Sequence, residues 1–461
     1  MNTIDAFIAT QRERILAELK ELLAIPSIST DAQHGPECRR AATWLEQHLR
    51  GLGCSVELVG SATHPVVIGE GPTVANRPTV LVYGHYDVQP PEPLEAWASP
   101  PFEPTEREGN LYARGATDDK GQVLALLKAY EAVSRHGEPP VNVRFLLEGQ
   151  EESGGQILAA VLDDRPGLLR SDVVLIADGP YYAPGWPAIE VGVRGICYAE
   201  IVVRTLEGDL HSGLYGGVAP NALEALAHVL VALKTAGGRI RIPGLYDPVR
   251  RPSATERASW RRLPFSATRF RRDEVRARAL TGDARYSVHE RLWALPTLDV
   301  HGITGGFVGE GMKTVIPAEA RAKVSLRLVP DQRAETVFRQ LGRAVRAAAP
   351  GYARVEVRSL ANADPVLVNT RHPAFRHLDR AFREVEGRGV VFTRSGGSLP
   401  ILPTLGRAGA PVLLAGIGLP DDGLHAPNEK FSIAQLTKGI RIFARFFDAY
   451  GKDPSRSEEV A

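Results

Sequence analysis

The chain has little of several things that would place it quickly. Its 461 residues include only three cysteines. Cys38, Cys54 and Cys197 are odd in number, far apart and never in a C-x-x-C pair, which argues against a disulfide framework or a thiolate metal site and favours a reducing compartment. An excess of one charge is also missing: 55 basic against 54 acidic residues leave a net charge of +1, so no global field attracts nucleic acid or an anionic membrane. Long hydrophobic runs are lacking too. Stretches such as PTVLVYG and PVLLAGIGL are far shorter than the about 20 residues of a spanning helix and suit buried strands instead. The N-terminal MNTIDAFIATQRERILAELKELLAIPSIST breaks its apolar residues with charges and offers neither the core nor the cleavage site of a signal peptide. The expectation is a cytoplasmic protein with no membrane and no nucleic-acid partner.

What is present reads as ordinary globular sequence, 44% hydrophobic and 24% charged, long enough for two or three domains. Helical periodicity covers about 4–23, ending before Pro26, about 37–52, ending at GLG, and 120–135. Between and beyond these lie short runs rich in branched residues at 79–83, 141–147 and 172–177. That alternation predicts an α/β domain with a mostly parallel sheet and helices on both faces. After Gly192 the pattern changes. Half-buried strands at 196–205 and 322–329 and an amphipathic helix at 219–236 predict a smaller α+β domain, and parallel-sheet character returns at 411–417 before a closing helix at about 431–448. The expected division is therefore 1–198 and 379–461 as two parts of one domain, with 199–378 inserted. Ten arginines crowd 250–278, and with no recognisable nucleic-acid module nearby they read as a solvated helical face of the insertion.

Chemistry gathers at the ends of the predicted strands. In GHYDVQP (84–90), His85 and Asp87 stand at alternate positions after an apolar run. Extended backbone puts them on one side, where Asp87 could accept the hydrogen bond of one ring nitrogen while the other binds a metal. In RGATDDKG (114–121), the adjacent carboxylates of Asp118 and Asp119 call for a cation, hydrogen bonds or full exposure. LLEGQEESGG (146–155) places Glu148, Glu151 and Glu152 just past a strand, where ligands bind in open α/β sheets. DVVLIAD ends on Asp178, and GLPDDGLHAPNEK carries His425 in a punctuated loop. Each cluster alone is compatible with turn or surface chemistry. Taken together, His85, Asp118, Glu152, Asp178 and His425 form a nitrogen/oxygen ligand set sufficient for two metals if Asp118 bridges, suited to zinc or manganese, with Glu151 free as a proton acceptor.

GHYDVQP, GATDDKG, EGQEESGG and DDGLHAPNEK together resemble the dinuclear metallopeptidase family of carnosine dipeptidase, aminoacylase and bacterial carboxypeptidases, most closely its dipeptidase branch. The resemblance spans essentially the whole chain. It implies that His85 and Asp178 complete one metal site, Glu152 and His425 the other, and that Asp118 bridges two ions, most readily Zn2+, with Mn2+ the alternative. It further implies Glu151 as general base, Asp87 as the residue orienting His85, and a cis peptide after Asp118. In DLHSGLYGG, His211 would reach the active site of a neighbouring subunit in a homodimer and stabilise the tetrahedral intermediate. In KTVIPAEARAKVSLRLVP, Thr314 and Arg327 would contact substrate from a lid, and Arg394 of RSGGSLP would join them. The sequence departs from the family in GSLP for the commoner GSIP and in EGQEESG for a more acidic run, without removing a proposed ligand. Aspartate at 178 resembles dipeptidase and aminopeptidase-like members. The implied activity is hydrolysis of dipeptides or very short peptides by a water activated between two divalent metals. Alternatives are N-acyl or N-carbamoyl amino acid hydrolysis by the same mechanism, and an inactive metal-binding scaffold. The inserted domain would serve as lid and dimerisation element.

Overall fold

The runs TVLVYGH, NVRFLLE and VVLI form three neighbouring parallel strands, Thr79–His85, Asn142–Glu148 and Val173–Ile176, in the computed structural model, which describes residues 3–135, 137–396 and 401–453. Their side chains are buried almost without alternation, as expected of strands covered on both faces. They sit within an eight-stranded sheet in the order Ser55–Val59, Val66–Glu70, Asn142–Glu148, Thr79–His85, Val173–Ile176, Val412–Leu414, Ala188–Glu190, Val391–Thr393. The centre is parallel. Antiparallel pairing enters where Val66–Glu70 meets its two neighbours and where Val412–Leu414 meets Ala188–Glu190. The expected mixed α/β architecture with a mostly parallel sheet is what forms.

Helix Lys120–Ser134 is buried nearly all round, because helices Thr3–Leu23 and Ile433–Gly451 both pack on it. Its two lysines are nevertheless satisfied. Lys120 Nζ donates to the carbonyls of Leu22 at 3.1 Å and Ile25 at 2.7 Å, closing the C-terminus of the first helix, and Lys128 pairs with Glu131 at 2.8 Å and with Glu18. Cys38, Cys54 and Cys197 are buried free thiols, raised by burial to about 12, about 11 and about 12. No helix among the described residues is long and apolar enough to cross a membrane.

The described residues divide into two compact units. One holds the chain up to Val191, Val368–Thr393 and the residues from 401 onward; the other holds Gly192–Leu367 with Arg394–Gly396. An antiparallel sheet in the order Thr297–Gly305, Glu319–Leu328, Gly195–Arg204, Arg354–Ala363 builds the second unit. Alternate residues Cys197, Ala199, Ile201 and Val203 face a core shared with helices Ala222–Leu233 and Ala334–Ala348. The expected boundaries at 199 and 378 fall inside strand Gly195–Arg204 and helix Pro373–Glu386, whereas the chain passes between the units at 191/192, where the pattern changes, and at 367/368. Within the arginine-rich segment, helix Ala254–Arg261 opens on a Ser253–Glu256 capping box and buries only Trp260.

Candidate metal centre

Three parallel strands deliver their acids and imidazole to one end of the sheet. His85 is the last residue of its strand and lies opposite Glu148, and Asp178 follows Val173–Ile176 by two residues. The loop carrying Asp118 precedes helix Lys120–Ser134, where a Cβ on Gly121 would lie 2.1 Å from the Ala116 carbonyl oxygen, so this close turn requires glycine. The Asp118–Asp119 peptide is cis. His425 arrives from the loop before strand Lys430–Ser432 with φ 59°, in the left-handed region.

These side chains converge into two triads that share one carboxylate. His85 Nε2 lies 3.1 Å from Asp118 Oδ1 and 3.8 Å from Asp178 Oδ2. His425 Nε2 lies 3.0 Å from Asp118 Oδ2 and 3.2 Å from Glu152 Oε1. Within each triad, one ligand atom per residue lies within 4.8 Å of the others. Burial and the charge on Asp118 push Asp178 up to about 7, whereas hydrogen bonds from His425 and His85 overcome burial to hold Asp118 well below the usual carboxylate range. Hydrogen bonds to Asp118 and Glu152 raise His425 to about 10. Converging imidazole and carboxylate ligands, with acids crowded enough to resist ionising together, fit two divalent cations.

Asp87 presents two oxygens to His85. The nearest Asp87 atom to His85 Nδ1 is its backbone carbonyl oxygen, at 3.1 Å, with carboxylate Oδ1 at 3.5 Å. Other donors engage the carboxylate: Ser29 Oγ at 2.6 Å, the N–H of Glu151 at 3.2 Å and the N–H of Glu152 at 3.1 Å. An Nδ1–H directed at that carbonyl would leave the Nε2 lone pair for a cation held with Asp118 and Asp178, which is the tautomer a metal ligand needs. Gln89 Nε2 holds Glu152 Oε2 at 2.8 Å, leaving Oε1 toward His425. Glu151 is in neither triad, and burial pushes it up to about 7, with His85 opposing and Glu152 adding to the rise.

Ser29, Gln89, Asp422 and Glu429 escaped the sequence reading. Thr117 Oγ1 donates to Asp422 Oδ2 at 2.8 Å, binding the Asp118 loop to the His425 loop. Asp422 and Glu429 are wholly buried, and acids in a Gly/Pro-punctuated loop carry no sequence signal of burial.

The remaining expected residues lie in the second unit. His211 and Thr314 come together there: strand Leu210–His211 pairs with Val315–Ile316, and Ser212 N–H donates to Thr314 O at 3.1 Å. His211 Nδ1 accepts from Gly213 N–H at 2.9 Å, which leaves Nε2–H as the exposed donor of the neutral ring. Arg327 lies in strand Glu319–Leu328, opposite Thr297 and Ile196. Arg394 is buried and donates to Glu256 at 2.5 Å.

A site of this composition on a mostly parallel sheet defines a class, and comparison with known proteins gives the same one. The model of Peptidase family M20/M25/M40 matches residues 81–449, and the chain belongs to that family. It is similar to the Cys-Gly metallodipeptidase of Schizosaccharomyces pombe, at 30% identity over 95% of each chain. It is also similar to the Beta-Ala-His dipeptidase of Mus musculus, at 30% identity over 97% of this chain and 95% of that one. Among solved structures, a metallo-carboxypeptidase from Sulfolobus solfataricus matches with a TM-score of 0.84 at 31% identity, covering 95% of this chain and 99% of that one.

Proposed function

We propose that the protein hydrolyses the amide bond of dipeptides or very short peptides. His85, Asp118 and Asp178 would hold one divalent cation and Asp118, Glu152 and His425 a second. The observation that carries this reading is the pair of nitrogen/oxygen triads sharing Asp118, in a chain similar along its length to dipeptidases. The donor set suits zinc first, and manganese as well. When bound, the cations supply Lewis acidity at the scissile carbonyl and lower the pKa of a water. Glu151 takes a proton from the attacking water and returns it to the leaving amine. Asp87 keeps His85 in its ligating tautomer and ties the Glu151–Glu152 backbone to the same point.

The second unit supplies substrate contacts in this reading. His211 Nε2–H donates to the developing oxyanion, Thr314 and Arg327 contact substrate, and Arg327 clamps its terminal carboxylate. Arg394 takes part while paired with Glu256. The chain acts as a homodimer, with His211 serving the neighbouring subunit and the second unit as lid. Support comes from edge strand Thr297–Gly305, which exposes Val300 and Ile303 in a unit that also exposes Leu214, Val218 and Met312, a surface suited to a second copy. A single-chain mass by sedimentation equilibrium on a fully active preparation would remove this part. A cytoplasmic location goes with the free thiols, and activity recovered from a secreted fraction would contradict it.

The test is turnover on a matched panel of dipeptides and N-acyl or N-carbamoyl amino acids, after chelation and separate restoration with zinc or manganese, with products identified by mass. Metal-restored cleavage of dipeptides is expected. Selective cleavage of the acylated amino acids would replace the substrate assignment, and no cleavage by the fully metal-loaded protein would leave a binding scaffold.

A further inference from the structure

We propose that Glu429 is a positioning residue that fixes the shared carboxylate Asp118 against His425, so that the Asp118–Glu152–His425 triad retains its ion. The proposal rests on the reading of the two triads as metal sites. Glu429 Oε2 accepts from Arg114 Nη1 at 2.7 Å and Gly115 N–H at 2.9 Å, and Oε1 accepts from Thr117 N–H at 3.0 Å and Asp118 N–H at 3.1 Å. A carboxylate offers about four acceptor positions, and all are filled. Glu429 therefore has no lone pair directed at a cation and is in neither triad.

What it joins gives it its importance. All four donors lie in the five residues ending at Asp118, whereas the acceptor stands four residues after His425. One buried side chain thus couples the bridging ligand of both triads to the loop that carries the imidazole of one. His425 and Asn428 adopt φ of 59° and 63°, the left-handed region that few residues other than glycine occupy. The loop is pinned before this turn by Asp422, which accepts from Thr117 Oγ1 at 2.8 Å, and after it by Glu429. Arg114 is itself held by the Pro90 carbonyl at 3.2 Å, so the Glu429 anchor is rigid on both sides. An amide of the same shape would turn an NH2 toward two fixed N–H donors, losing both hydrogen bonds on that side and setting donor against donor.

The test compares Glu429→Gln and Glu429→Asp with the wild-type chain, each loaded with zinc. Ion affinity is measured by competition with a chelator, kcat and KM on a dipeptide cleaved by the wild type, and unfolding by thermal melt. Glu429→Gln is expected to weaken one of two ions by about 10–100-fold, the range for residues that orient metal ligands. Its kcat falls at subsaturating zinc and recovers as zinc is raised, with KM near the wild-type value. Glu429→Asp keeps the charge but draws the carboxylate back, and changes ion affinity less in the same direction. It decides the matter if the amide variant does not fold. Wild-type affinity for both ions in the folded variants, even with a lowered melting temperature, would overturn the proposal by showing Glu429 to be structural only. A wild-type chain that binds fewer than two ions would instead overturn the metal reading, and this proposal with it.

Discussion

Glu151→Gln is expected to lower kcat on a dipeptide by about 10³-fold, within the range for removal of a general base, while KM and bound metal stay close to wild type. The substitution keeps shape and removes the ability to accept a proton. Glu151 is in neither triad, and the hydrogen bond from its backbone N–H to Asp87 at 3.2 Å does not depend on the side chain. Ligation and substrate contacts therefore survive, and the loss falls on the chemical step. Steady-state kinetics with metal analysis of the same sample checks this. Full activity at full metal occupancy would remove Glu151 from the mechanism.

Asp118→Ala is expected to abolish measurable turnover and to leave less than one tightly bound ion per chain. Its two oxygens face different imidazoles, Oδ1 toward His85 at 3.1 Å and Oδ2 toward His425 at 3.0 Å, so one substitution removes a ligand from both triads. Asp178→Ala, by contrast, removes a ligand from one triad only. Metal analysis after gel filtration reads the difference between them. Two ions retained by the folded Asp118→Ala chain would contradict a bridging role.

The residues of the two triads were legible because chemistry and element boundaries coincide in the sequence. His85 and Asp178 stand where branched runs stop, and those runs form adjacent parallel strands whose carboxyl ends face one way. The residues that hold them in place were not legible. Asp118 N–H and Glu429 meet across 311 positions of sequence, and a backbone donor has no residue type that reveals it. Asp87 shows the limit within a motif. The H-x-D spacing brought the two residues together, but not which Asp87 oxygen the imidazole would meet. That was settled by Ser29 and two backbone N–H groups engaging the carboxylate from elsewhere in the chain. The junction at 191/192 coincides with the change of pattern after Gly192, whereas the one at 367/368 falls within DPVLVNT, where no glycine-rich linker marks it.

Stepwise return of zinc, and separately of manganese, to the chelated chain bears most directly on the central claim, with bound ions and dipeptide turnover recorded on the same samples. Turnover is predicted to be absent without metal, to rise with filling and to reach its maximum at two ions per chain. Full dipeptide turnover with one ion or none, or two ions bound with no dipeptide cleaved, would contradict the account.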